Sequence, residues 1–212
     1  QDKINLDRKV KILKTHQGKF TISNNNFTNS ENTLGVIYIV RDPRTLVKSI
    51  SNHYTLSAED AFNFLIHPRL MGDGKSFKEK EDGLYNILGK WDEHYRSWTT
   101  NKNNLLLIKY EDLIKNTEVE LKKIIEFLQK YLTFEFDEKK IKNILKTTSF
   151  ESLKNMEKLG KFKEQSENKI DGKKVEFFNL GPKNIWQENL KKEIVLKIER
   201  NFYSAMKELN YL

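Results

Sequence analysis

The stretch VIYIVRDP, Val36 to Pro43, narrows the fold more than any other part of the chain. Leu34 to Val40 is almost continuously apolar and β-branched, without the alternation of a half-solvated strand. That pattern suits a strand buried on both faces of a parallel sheet. The strand ends on the charged Arg41. Asp42 and Pro43 then read as N-cap and first residue of a helix reaching about Tyr54. A buried strand that turns at once into a helix is one half of a βα unit.

The same signals recur along the chain. Val10 to Leu13 is expected as a short strand, and Gly18 to Asn32 as a polar, Asn-rich loop. Met71 to Gly74 breaks the chain into another loop. Leu84, Leu88, Trp91, Tyr95 and Trp98 keep helical spacing and predict a helix over 84–98. Leu105 to Ile108 is a second buried-type strand. Thr117, with Glu120 three places on, predicts a capping box, and Leu121, Ile124, Ile125 and Leu128 share the face of the helix behind it. Further helices are expected near Glu138–Leu145, Glu151–Leu159 and Glu188–Glu208. Strands alternating with amphipathic helices imply an α/β fold, a parallel sheet flanked by helices. There is no internal repeat and no interdomain linker, so 212 residues form a single domain.

Composition limits the partners. A net charge of +8 accompanies 13 Phe, 8 Tyr and 3 Trp, enough bulk for a globular core. The charge alone selects no anionic partner. No helix-turn-helix, zinc-finger spacing or RNA-binding aromatic pair is present, and no nucleic acid is expected. The basic-acidic tract Lys163 to Lys174 mixes signs and reads as a mobile loop. No run reaches membrane-spanning length, and no metal-ligand cluster is evident. The absence of Cys leans towards a reducing cytoplasm.

Arg41 stands where α/β sheets bind ligands, beyond the carboxyl end of a strand. A guanidinium beside a helix N-terminus grips phosphate or sulfate with two parallel hydrogen bonds. Ser49, two turns into the helix, is in position to face the same anion. The plainer reading pairs Arg41 with a carboxylate and leaves Ser49 on the surface. Arg-Asp-Pro alone leaves both open.

Four segments taken together decide further. They are ILKTH (Ile12–His16); YIVRDPRTLVKSISNHY (Tyr38–Tyr54); LGKWDEHYRSW with NLLLIKYEDL (Leu88–Leu113); and TTSFESLKNM with FFNLGPKNIWQENL (Thr147–Leu190). In this order the chain resembles the cytosolic-type sulfotransferases, from about Lys11 to Leu212. The resemblance implies a fold related to P-loop kinases. It also implies transfer of a sulfuryl group from 3′-phosphoadenosine 5′-phosphosulfate (PAPS) to a hydroxyl or amine of a small-molecule or glycan acceptor, leaving adenosine 3′,5′-bisphosphate. On it, Arg41 and Ser49 bind the 3′-phosphate. Tyr110, Thr148 and Phe150 contact the adenine, and Asn179 and Gly181 belong to the nucleotide site. His16 is the catalytic base, with Lys14 beside it to neutralise charge on the transferring group. An imidazole suits proton transfer near pH 7. His94 and Trp98 match a segment with a structural role.

Three departures accompany the resemblance. The family's Pro-Lys-Ser-Gly-Thr-Thr-like phosphate-binding loop and the first strand before it are not in the sequence, so the domain is expected to be incomplete at its N-terminus. Asn179-Leu180-Gly181 stands where the family has Arg-Lys-Gly, removing two cations from the 3′-phosphate site, with Lys183 as one replacement. Asn184, Ile185 and Gln187 differ from the family's Gly-Asp-Trp-Lys, while Trp186 is kept. The rival readings are a non-catalytic nucleotide-binding relative and a basic nucleic-acid-binding domain. Acceptor identity and oligomeric state are not legible.

Overall fold

The computed structural model describes residues 9–71, 86–100, 104–162, 165, 167, 168 and 172–212. Its centre is a parallel pair, β3 (Val36–Val40) beside β6 (Leu105–Lys109), with Val36 opposite Leu105 and Val40 opposite Lys109. Both strands were expected, but not with one face open: Ile39 is 51% and Leu107 37% exposed. Parallel pairing requires the long crossover between them. Two antiparallel pairs lie outside it. β1 (Thr21–Ile22) pairs with β2 (Asn25–Asn26), and β4 (Arg69–Met71) with β5 (Asn86–Gly89).

Helix α1 (Pro43–Tyr54) follows β3 and α2 (Ala58–Ile66) packs against it. Then come α3 (Trp91–Thr99), α4 (Tyr110–Lys115), α5 (Thr117–Gln129), α6 (Glu138–Thr147) and α7 (Phe150–Lys158). A 3₁₀ turn (Gly181–Lys183) leads to α8 (Trp186–Asn189) and α9 (Lys192–Glu208). One core joins α1, α2 and α9 through Val47, Ile50, Phe62, Leu65, Ile198, Phe202 and Met206. A second joins Val40 of the sheet to Tyr95 of α3 and to Ala205 and Leu209 at the end of α9.

Four expectations change. Val10–Leu13 forms no strand: Ile12 and Leu13 are 70% and 68% exposed, and no described residue covers them. Leu84 lies outside the described residues, and the helix expected over 84–98 begins only at Trp91. Asn86–Gly89 pairs as a strand, and Gly89 turns through positive φ before the helix. Thr117 is the first residue of α5 rather than its cap. Asn116 takes the cap position, and the Thr117 hydroxyl donates back to the Ile114 carbonyl at 3.4 Å. The last helix is divided at Leu190–Lys191 into α8 and α9. The turn expected at Gly72–Gly74 is outside the described residues.

The Arg-Asp-Pro corner obeys its sequence signals. The Asp42 carboxylate accepts from the Arg44 backbone N–H at 2.8 Å, and Pro43 fills the first helical position where no N–H is needed. That carboxylate also takes a forked grip from the Arg44 guanidinium, at 3.0 Å from Nε and 2.7 Å from Nη2. Arg44 further donates to Glu199 of α9 at 2.6 Å and to the Tyr211 carbonyl at 2.8 Å, under the ring of Trp186. The Arg44 and Asp42 side chains are both 6% exposed. Removing one partner of a buried pair strands the other, so Arg44→Ala should cost about 3–5 kcal/mol of unfolding free energy. Urea unfolding measures this, and a loss of less than about 1 kcal/mol would show the network to be a surface pair.

Candidate functional site

A cleft of about 280 Å³ opens where β3 and β6 end, next to α1 and the 176–184 segment. It brings together Arg41, Ser49, Tyr110, Phe150, Asn179 and Gly181. They come from four parts of the chain: the β3–α1 unit, the start of the helix after β6, the start of α7, and the 176–184 segment. Thr148, Lys14 and His16 are not in its lining.

Arg41 is fixed on every side except the one facing the cleft. Its carbonyl accepts from the Trp91 indole at 3.2 Å. The next backbone N–H, of Asp42, donates to Glu111 at 3.0 Å. The Arg41 guanidinium lies 4.3 Å over the Tyr110 ring, and its Nε donates to Thr45 Oγ1 at 3.1 Å. Among the described residues no carboxylate lies within ion-pairing distance of it. Burial pulls its pKa below the ordinary arginine value, partly offset by Tyr110 and Glu111. The structure thus separates the two arginines of the corner: Arg44 takes the carboxylates, and Arg41 lines the cleft without one among the described residues. The Tyr110 ring, which lines the cleft, also lies under the Arg41 guanidinium.

Ser49 is two turns along α1. Asn184 donates its amide to Ser49 Oγ at 3.2 Å and to the Thr45 carbonyl at 2.9 Å. The carbonyl can only accept, so the amide orientation is fixed, and Ser49 Oγ accepts from it while keeping its own proton. A second amide pair ties the helix to the same segment. Asn179 donates to Asn52 Oδ1 at 2.6 Å, and Asn52 donates to the Glu176 carbonyl at 2.8 Å. Asn179, where the family carries a cation, therefore holds the wall of the cleft.

The far wall is aromatic: Phe150, Phe177 and Phe178 line it, with Phe162 packed behind at 4.9 and 4.8 Å from the last two rings. Glu157, 5% exposed, holds this wall by accepting from the Phe177 and Phe178 amides at 2.6 and 3.0 Å. Sequence reasoning missed Glu157, since its donors come from a segment with no pattern of its own. Gly181 has φ +53°, and a Cβ there would meet the Phe150 ring, so both conformation and space require glycine. Thr148 caps the end of α6, its hydroxyl donating to Ile144 at 2.7 Å, two residues before Phe150.

Lys14 and His16 lie on the exposed strand-free segment before β1. Helix α3 anchors that segment. His94 Nε2 donates to the His16 carbonyl at 3.2 Å and Trp98 to the Gln17 carbonyl at 2.9 Å, while the Lys19 amide donates to Ser97 at 3.0 Å. His94 and Trp98 thus position the His16 backbone. With Nε2 carrying the proton, His94 Nδ1 accepts from the Tyr38 hydroxyl at 2.8 Å, so both ring nitrogens are used in the neutral form.

A family model described as a sulfotransferase domain matches residues 2–210. The chain belongs to the sulfotransferase-domain family. Among its relatives, "Cytosolic sulfotransferase 12" of Arabidopsis thaliana is 34% identical over 122 residues, covering 55% of this chain and 35% of that protein. "Luciferin sulfotransferase" of Photinus pyralis is 25% identical over 195 residues, covering 90% and 49%. "Sulfotransferase 2A1" of Rattus norvegicus is 36% identical over 126 residues, covering 56% and 38%. The chain spans between a third and a half of the length of these relatives. The fold is similar to that of mouse sulfotransferase SULT7A1 complexed with PAP, at a TM-score of 0.54 and 21% identity, covering 81% of this chain and 58% of that one.

The neutral state of His94 has a measurable consequence. Burial lowers its pKa below the ordinary imidazole value, so the unfolded chain binds the proton more readily than the folded one. This contribution to stability is complete above the unfolded pKa and is lost as pH falls through the folded one. Urea midpoints should therefore decline from about pH 7 towards pH 5, and His94→Gln should flatten that decline. An unchanged pH profile in the variant would show that His94 titrates as it does in the unfolded chain.

Proposed function

We propose that the cleft holds the adenosine 3′-phosphate end of PAPS and that the chain is the nucleotide-holding part of a sulfotransferase. The observation that carries this is Arg41, a held guanidinium with open outer nitrogens in a cleft whose lining, among the described residues, contains no carboxylate. Family membership and a fold neighbour that was solved with PAP support it. The cleft volume, near the lower end for small-molecule sites, suits one end of a nucleotide rather than the whole of it.

The residues fit that ligand. Arg41 and Ser49 would hold the phosphate, by charge-assisted hydrogen bonds from the guanidinium and from the hydroxyl that Asn184 orients. Phe150 and Phe177 offer aromatic faces to the base, and the exposed side of Phe177 (41%) leaves room for stacking. Gly181 and Asn179 keep the wall close, and Thr148 supports the start of α7. When bound, the donor supplies a sulfuryl group for a hydroxyl or amine of a small-molecule or glycan acceptor, and adenosine 3′,5′-bisphosphate remains. His16 would take the acceptor proton, with Lys14 stabilising charge near it. A cytosolic location belongs to the same proposal. It is supported by the name of one relative, and among the described residues no helix is long and apolar enough to cross a membrane.

Calorimetric titration of the 212-residue chain tests the site without requiring turnover. Adenosine 3′,5′-bisphosphate should bind more tightly than adenosine 5′-monophosphate. Hydrogen bonds to a charged group are worth about 1.5–3 kcal/mol, so Arg41→Ala should weaken the bisphosphate by about tenfold to a hundredfold. Equal affinity of the wild type for the two nucleotides would overturn the assignment.

A further inference from the structure

A phosphate monoester carries nearly two negative charges at neutral pH. Arg41 provides one cation. The resemblance to the family leads one to expect more from positions 179 and 180, but these are Asn and Leu. The Asn179 amide is already engaged by Asn52, and Leu180 has no charge to give. Lys183, the replacement expected from the sequence, is exposed on the 3₁₀ turn and is not in the cleft lining. Position 48 remains. Lys48 is half-buried, sits directly before Ser49 on α1, and lines the same cleft as Arg41. Among the described residues it makes no ion pair.

Resting on the reading of the cleft as a 3′-phosphate site, we infer that Lys48 is the second cation of that site and determines its preference for a nucleotide bearing a 3′-phosphate. The compensation works by position. The wall segment that lost its cations is fastened to α1 by neutral amides through Asn52, Asn179 and Asn184. The charge is then supplied from the helix side, where a lysine can swing its ammonium over the mouth of the cleft. A lysine gives a mobile point charge rather than a planar fork. Its contribution is therefore mainly Coulombic and screened by salt, whereas the contribution of Arg41 depends on geometry.

The test measures dissociation constants of the folded chain for adenosine 3′,5′-bisphosphate and adenosine 5′-monophosphate, in the wild type and in Lys48→Ala, Lys48→Arg and Lys183→Ala. Lys48→Ala should reduce affinity for the bisphosphate by about three- to tenfold at low salt, the range of a partly exposed charge pair, and leave the monophosphate unchanged. Lys48→Arg should restore most of the preference, Lys183→Ala should not alter it, and the wild-type preference should shrink with added salt more than that of Lys48→Ala. If the wild type discriminates but Lys48→Ala discriminates equally, Lys48 is not the second cation while the Arg41 site stands. Equal weakening of both nucleotides would assign Lys48 to packing or to the 5′ end, and also overturns the inference. If the wild type does not discriminate at all, the site reading itself fails and takes this inference with it.

Discussion

The Asp42 carboxylate meets three demands with two oxygens, and the geometry of the cleft depends on its doing so. It caps α1 through the Arg44 amide and takes the Arg44 guanidinium in a fork. Through that guanidinium it is tied to Glu199 and the Tyr211 carbonyl near the C-terminus. Capping alone is worth about 1 kcal/mol, but a buried carboxylate without its cation costs several. The corner is therefore an all-or-none arrangement. Once it forms, the direction in which α1 leaves the sheet is set, and with it the positions of Thr45, Lys48, Ser49 and Asn52 relative to Arg41.

Satisfying Asp42 with Arg44 is also what leaves Arg41 available. Two arginines three residues apart face opposite problems. One is enclosed by carboxylates, a carbonyl and an indole face. The other is held by a hydroxyl and a phenol ring, neither of which neutralises it. A buried cation with unfilled donors is unfavourable for the protein alone, and an incoming anion removes that penalty. The amide pairs from Asn52, Asn179 and Asn184, and the Glu157 grip on the Phe177–Phe178 amides, hold the opposite wall at a fixed distance. The wall is thus in place before any ligand arrives, which lowers the ordering cost of binding.

Much of this was legible in the sequence, for local reasons. Val36–Val40, the Asp42-Pro43 start of α1 and Leu105–Lys109 announce themselves by composition and capping chemistry, and the structure follows them. The helix from Ser57 went unread although Ser57 and Asp60 stand at capping spacing, and the Ser57 hydroxyl does accept from the Asp60 amide at 3.1 Å. Val10–Leu13 has the composition of a strand but no neighbour to pair with among the described residues, and propensity does not supply one. At the candidate site, six of the residues matched to family motifs fall together, while Thr148, Lys14 and His16 lie outside the lining. Of those that hold them, Asn52, Glu157 and Asn184 bond backbone atoms of distant segments, and no local pattern reveals such partners. His94 lay between these cases: its motif marked it as structural, but its hold on the His16 carbonyl appears only in three dimensions.

The division of labour between the two arginines can be observed directly. Nitrogen-15 NMR resolves the Nε–H of each arginine side chain, assigned here by Arg41→Lys and Arg44→Lys variants, during titration with adenosine 3′,5′-bisphosphate. The expected result is a saturable shift of the Arg41 Nε–H signal, while the Arg44 signal, enclosed by Asp42 and Glu199, stays where it is. A titration in which Arg44 moves and Arg41 does not would contradict the assignment of Arg44 to the fold and Arg41 to the ligand.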